Sequence, residues 1–162
     1  MLYFESVVRK RIVQKDAVIE VKDLMTYLKG WFKDHKYKLM EGSHVDTSSS
    51  NADKRSFVVK WFGDREYDDY HKFYITLELN FEDMEDKVVR GKKLTKGEYI
   101  LMVSGDIIKD YQFKWRKPLF IEFWRAVFDK YFGVESDIAV KKKIKNECDD
   151  LIEDIKKYFN MI

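Results

Sequence analysis

Between Lys72 and Phe81 the chain reads KFYITLELNF and alternates without interruption. Phe73, Ile75, Leu77, Leu79 and Phe81 fall on one side of an extended strand, and Lys72, Tyr74, Thr76, Glu78 and Asn80 on the other. A helix would mix the two sets. Five large apolar side chains, each contributing about 1.5–3 kcal/mol when fully covered, require a broad apolar cover. Pro118–Phe132 has the pattern for one: at helical spacing Phe120, Phe123, Trp124, Val127, Phe128 and Tyr131 sweep out one side, while Glu122, Arg125 and Asp129 take the other. Pro118 suits a first helical turn and Gly133 a C-cap. The expectation is a two-faced central strand roofed by an aromatic helix.

The rest of the chain supplies further elements. Leu2–Gln14 reads as a first strand, with Ala17–Val21 as an apolar extension. Asp23 is a suitable N-cap for a helix to about Tyr37, with Leu24, Tyr27, Leu28, Trp31 and Phe32 at helical spacing. Lys38–Val45 is a short strand, and the polar run Asp46–Lys54 a mobile loop within one domain. Ser56–Phe62 resumes as a strand with Phe57, Val59 and Trp61 on one face, and Gly63-Asp64 signals a turn. After the central strand, Glu82–Asp86 reads as an acidic turn and Lys87–Gly97 as a polar connection with a short strand at Val88-Val89. Glu98–Val103 is apolar enough for a strand covered on both faces. Ser104-Gly105-Asp106 reads as a turn or glycine bulge before Ile107–Trp115. From Ile144 through Cys148, Leu151, Ile155, Tyr158 and Ile162, apolar residues recur at intervals of four and three, widened by Ile152 and Phe159. That seam packs on the domain's own body or on a second copy.

Composition supports a folded single domain. The 162 residues are 45% apolar and 16% aromatic, and 31 Lys and Arg nearly balance 29 Asp and Glu, so the net charge of +2 gives no global argument for nucleic acid or membrane. The single cysteine, Cys148, precludes an intramolecular disulfide. No apolar run has the length of a signal-peptide core or a bilayer span, which makes the cytoplasm the default location.

Candidate chemistry is sparse. His44 with Asp46, and Asp68 and Asp69 with His71, offer nitrogen and oxygen ligands, but nothing in the sequence brings the two groups together and no metal or cofactor is assigned. Glu78, beside Tyr74 on the polar face of the central strand, would with His71 supply polar groups to a small-molecule site if that face lined a cavity. Against this stands the ordinary solvated face of a sheet. Lys141, Lys142, Lys143 and Lys145, near the start of the last helix, hint at an anionic partner. Trp115 with Arg116, and Lys60-Trp61 with Arg65, interleave aromatics and cations as single-strand nucleic-acid platforms do, without any RNP-like run. Cys148 lies in the apolar seam and reads as a small buried hydrophobe.

These elements give an α+β fold: an antiparallel sheet of four to six strands with helices packed on one face and a long C-terminal helix. The order strand, helix, meander, long C-terminal helix resembles helix-grip ligand-binding domains, which implies a cavity between sheet and C-terminal helix. The leading functional reading is a non-enzymatic binding or protein-interaction module, using the sheet face or the last helix, with self-association through that helix as one form. The alternatives are a helix-grip-like small-molecule binder or enzyme, and single-strand nucleic-acid binding.

Overall fold

The structure is a computed structural model and describes residues 3–48, 54–112 and 133–160, together with Phe123, Ala126, Val127 and Lys130. Five strands form one antiparallel sheet: β1 (Tyr3–Ile19), β2 (Lys38–Ser48), β3 (Arg55–Glu66), β4 (His71–Val89) and β5 (Lys92–Lys109). Helix α1 (Val21–Asp34) follows β1, and helix α2 (Gly133–Asn160) closes the chain. The spatial order is β1-β5-β4-β3-β2. Strands β2 to β5 are thus a meander, and the first strand returns to pair with the last. The α+β class, the antiparallel sheet and the long C-terminal helix are as the sequence predicts.

Strand β4 is central and its alternation is realised. Phe73, Ile75, Leu77, Leu79 and Phe81 are each at most 1% exposed. Register carries the pattern sideways: Leu77 stands between Trp61 and Val103, Leu79 between Val59 and Leu101, and Phe81 between Phe57 and Tyr99. Over these rows lie Leu24, Leu28, Trp31 and Phe32 of α1, and Val140, Ile144, Cys148, Leu151, Ile152, Ile155 and Phe159 of α2, in one continuous apolar cluster. Pro118–Phe132 lies outside the described residues except at four positions, and Phe123 is 64% exposed. The described roof is α2, whose four-and-three seam faces the sheet, together with α1.

The glycines explain how two helices reach one sheet. Ile75 stands between Gly63 of β3 and Gly105 of β5. A Cβ on Gly63 would lie 2.5 Å from Cε1 of Phe32, and one on Gly105 would lie 2.7 Å from Sγ of Cys148. These two glycines, read from sequence as a turn at Gly63 and a turn or glycine bulge at Gly105, instead sit inside continuous strands as seats for α1 and α2. The irregularity near Gly105 falls on its neighbour: the β1 register shifts between Ser6 and Val8.

β1 does run on into the expected apolar extension, as far as Ile19, across a bulge at Asp16, whose φ is 53°. Other expectations are corrected. β4 does not turn at Glu82–Asp86. It shifts register between Glu82 and Glu85, with Asp83 at φ 54°, then continues to Val89. The bulge swings Met84 inward to 3% exposure, over Gly97. The turn falls at Arg90-Gly91, both with positive φ, as a tight two-residue hairpin requires. α1 begins earlier than expected, with Glu20 at the N-cap position and Asp23 in the first turn. Of the expected loop at 46–54, Asp46–Ser48 belong to β2, and residues 49–53 lie outside the described residues.

Candidate functional site

The described cavity richest in chemistry is an open cleft of about 560 Å³ at one end of the sheet. It forms where the last residues of β2, the first of β3, the bulged part of β4, the first of β5 and the start of α1 meet. Its floor is apolar. Phe57 stacks on Phe81 with ring centroids 4.4 Å apart, the His44 ring lies 5.7 Å from that of Phe57, and Met84 and Val21 complete the surface.

Asp86 organises one wall. Its carboxylate accepts hydrogen bonds from Arg55 Nη2 and from Thr95 Oγ1, the latter at 3.0 Å, and pairs with Lys93 Nζ at 3.0 Å. Partial burial pushes the Asp86 carboxyl up, but Lys93, Thr95 and the charge of Arg55 outweigh it and hold the group below the ordinary aspartate range. Two cations share this one carboxylate, so the wall is locally positive. On another side His44 Nε2 lies 3.1 Å from Asp46 Oδ1. The third side is the start of α1, where Glu20 makes no side-chain cap and Val21 and Lys22 face the cleft. First-turn N–H groups such as theirs have no partner within the helix. Over the whole lining, Lys22, Arg55 and Lys93 balance Glu20, Asp46 and Asp86.

The residues singled out from sequence are scattered. His44 and Asp46 are adjacent, and Asp68 holds His71 with its Oδ2 2.9 Å from Nδ1, but the two pairs occupy opposite ends of the sheet. His44 is level with Val59 and Leu79, eight residues along β4 from His71, which is about 26 Å at the usual strand rise. Asp69 joins neither pair in any described contact. Among the described residues no group of three or more His, Cys, Asp or Glu side chains is placed to hold a metal ion.

His71 shares the core face of β4 and is 8% exposed, whereas Tyr74 and Glu78 lie on the opposite face. The three do not converge. Glu78 pairs with Lys60 at 3.9 Å. That opposite face is not the bare wet surface expected: Ile100 and Ile108, which pair with Asn80 and Lys72, are each 6% exposed. Burial raises the Tyr74 hydroxyl above its ordinary range, and Asp64 and Asp106 add to the effect.

The lysines of α2 are eight or more residues from Gly133, beyond the first turn where the helix dipole acts. Lys141 pairs with Glu5 at 2.6 Å and Asp137 at 2.9 Å, and Lys109 joins the same two acids at 3.0 and 2.6 Å. Lys143 lies 3.7 Å from Glu147. Lys142 and Lys145 are exposed. The nucleic-acid platform is not assembled by the described residues. Trp61 is 2% exposed in the core, and Arg65 donates to Glu147 and to the His35 carbonyl, both at 2.8 Å. Trp115 and Arg116 lie outside the described residues.

The space between sheet and C-terminal helix, where a helix-grip cavity would lie, is lined by Ile144, Cys148, Leu151 and Ile155, all fully buried against the strands. The end cleft was missed from sequence because Arg55, Asp86, Lys93 and Thr95 sit on three strands and meet only through the register beyond the Asp83 bulge. The available signals were Phe57 on the apolar face of its strand and the His44–Asp46 pair, all of which line the cleft. No helix of the described residues is long and apolar enough to cross a membrane. No protein-family model matches the chain, and no curated protein matches it in sequence.

Proposed function

We propose that the protein is a non-enzymatic binding module whose occupant is a small amphipathic anion seated in the end cleft. The supporting observation is the cleft itself: about 560 Å³, within the range of small-molecule sites, with the apolar floor of Phe57, Met84 and Val21 beside the Arg55–Asp86–Lys93 wall. An apolar body would lie on Phe57 and His44. A carboxylate or phosphate would meet Arg55, Lys93 and Lys22, with Asp86 holding the first two cations in place by satisfying one direction of each. The balanced lining charge favours one anionic group over a polyanion. The hydroxyl–carboxylate pair of the lining, Thr95 with Asp86, holds its carboxylate below the ordinary aspartate range, where it is a weak base, which supports binding over covalent catalysis. The lone buried thiol suits a reducing compartment, and we place the module in the cytoplasm.

The experiment is a titration of the protein with phenyl phosphate and phenylacetate, followed by backbone amide NMR and by thermal shift. Saturable binding is expected, weakened by about tenfold or more in Arg55→Ala, as loss of a charge-assisted contact implies. Absence of saturable binding by either probe, or binding indifferent to Arg55→Ala and Lys93→Ala, would refute the proposal.

A further inference from the structure

Beyond the cleft, the β4–β5 hairpin runs on with no other strand paired to it among the described residues. Strand β3 pairs with β4 only as far as Met84, and β1 pairs with β5 only from Thr95 onward. Residues Glu85–Val89 and Lys92–Lys96 continue pairing with each other. Val89 lies five residues past Met84, so the two-stranded ribbon projects about 17 Å at the usual strand rise. Every residue from Glu85 to Lys93 is exposed.

The tip, Lys87-Val88-Val89-Arg90-Gly91-Lys92, contains three cations and no acid. The acid that immediately precedes the tip on β4, Asp86, is already held by Arg55 and Lys93. At the apex Val88 is 77% exposed and Val89 48% exposed. Adjacent strand residues point to opposite faces, so both sides of the ribbon end in a branched aliphatic group. The turn is a tight two-residue one, with Arg90 at φ 52° and Gly91 at φ 78°.

We propose that this hairpin tip docks on an anionic lipid surface, with Val88 and Val89 entering the interface and Lys87, Arg90 and Lys92 meeting headgroup charge. Membrane attachment gains strength when an apolar insertion is combined with a basic patch, and the tip carries both within six residues. The alternative polyanion is nucleic acid, where sequence-tolerant binding draws on aromatic faces for stacking. The tip offers aliphatic side chains instead, which favours lipid. The inference is independent of what the cleft holds.

The test is co-sedimentation of the full chain with vesicles of phosphatidylcholine alone and of phosphatidylcholine with phosphatidylglycerol, at low and high salt. Binding is expected only to the anionic vesicles, and salt should weaken it. Replacing all three cations (K87Q, R90Q, K92Q) should lower partitioning by about 100-fold. V88S with V89S should also lower it, while circular dichroism melts change little, because both valines are exposed. Attaching an environment-sensitive fluorophore through Val88→Cys gives a second readout. Cys148 is fully buried and will not compete for the label, and a blue shift on anionic vesicles is the expected result. Failure to sediment with anionic vesicles at low salt, or sedimentation indifferent to both variant sets, would overturn the proposal. Retention of an oligonucleotide that depends on the cations but not the valines, without vesicle binding, would assign the tip to nucleic acid and overturn it as well.

Discussion

Adding one methyl group at Gly105 tests the seat of α2 on the sheet. A Cβ there would lie 2.7 Å from Cys148 Sγ, 2.9 Å from Val8 Cγ1 and 3.3 Å from Ile144 Cγ1. All three neighbours are short or branched side chains in the core, with Cys148 and Ile144 fully buried, so none can swing aside cheaply. Overpacking of this kind costs about 1–3 kcal/mol. For a chain of this length that is a fall in Tm of roughly 3–9 °C. Cys148→Ala removes the nearest atom and leaves a small cavity of its own. Combined, the two changes should compensate, because the new methyl occupies the space the sulfur vacates. Urea unfolding of Gly105→Ala, Cys148→Ala and the double variant gives the cycle, with midpoints compared at constant m. The expected coupling is favourable by about 1 kcal/mol or more. Additivity within about 0.5 kcal/mol, the behaviour of sites that do not touch, would refute this contact and with it the docking of α2 on β5.

The remaining predictions concern the polar ties around that core. Arg65 and Glu147 are 19% and 6% exposed in their side chains, and Tyr37 donates to the other oxygen of Glu147 at 2.5 Å. Arg65→Ala should therefore cost about 3 kcal/mol by leaving a buried carboxylate short of its partner, and adding Glu147→Gln should recover part of the loss in a melting experiment. Glu5 is held below its ordinary carboxylate range by hydrogen bonding to Lys141 above all, against partial burial, with Lys109 assisting. Burial pushes Asp137 up, but Lys109 and Lys141 outweigh it and lower it too. A depressed folded value stabilises above the unfolded value and is lost as pH falls through the folded one. Stability should thus decline from about pH 5 downward, and E5Q with D137N should flatten that acid limb. Burial pushes the Cys148 thiol up to about 12. At neutral pH a disulfide reagent should label it only as fast as the protein opens, and stoichiometrically in denaturant; immediate labelling of the native protein would contradict its burial.

Much of this fold was legible because one rule, alternation on a half-buried strand, held from Phe73 to Phe81 and again at Phe57, Val59 and Trp61. The four-and-three spacing of α2 was equally plain, and its packing on the domain's own body is what the structure has; the roof expected at Pro118–Phe132 lies outside the described residues but for four positions. The glycines misled for a physical reason. Freedom at positive φ and absence of a side chain both favour glycine, and at Gly63 and Gly105 it was the missing side chain that mattered. Asp83 misled in the other direction, since its left-handed conformation bulges a strand where a cluster of acids suggests its end. Of the cleft, only Phe57 and the His44–Asp46 pair stood out in the sequence. Its polar wall depends on Asp86 meeting Arg55, thirty-one residues away in sequence, through a register that the bulge resets. The separation of His44 from His71 likewise follows from topology, which no local spacing encodes.

The central claim is that ligands enter at the end of the sheet beside Asp86, and a crystal structure of the protein soaked with phenyl phosphate tests it most directly. The account predicts the phosphate against Arg55, Lys93 and Lys22, with the ring over Phe57. Density for the probe on the Tyr74–Glu78 face, or between the strands and α2 at Cys148, with the end cleft holding none, would contradict it.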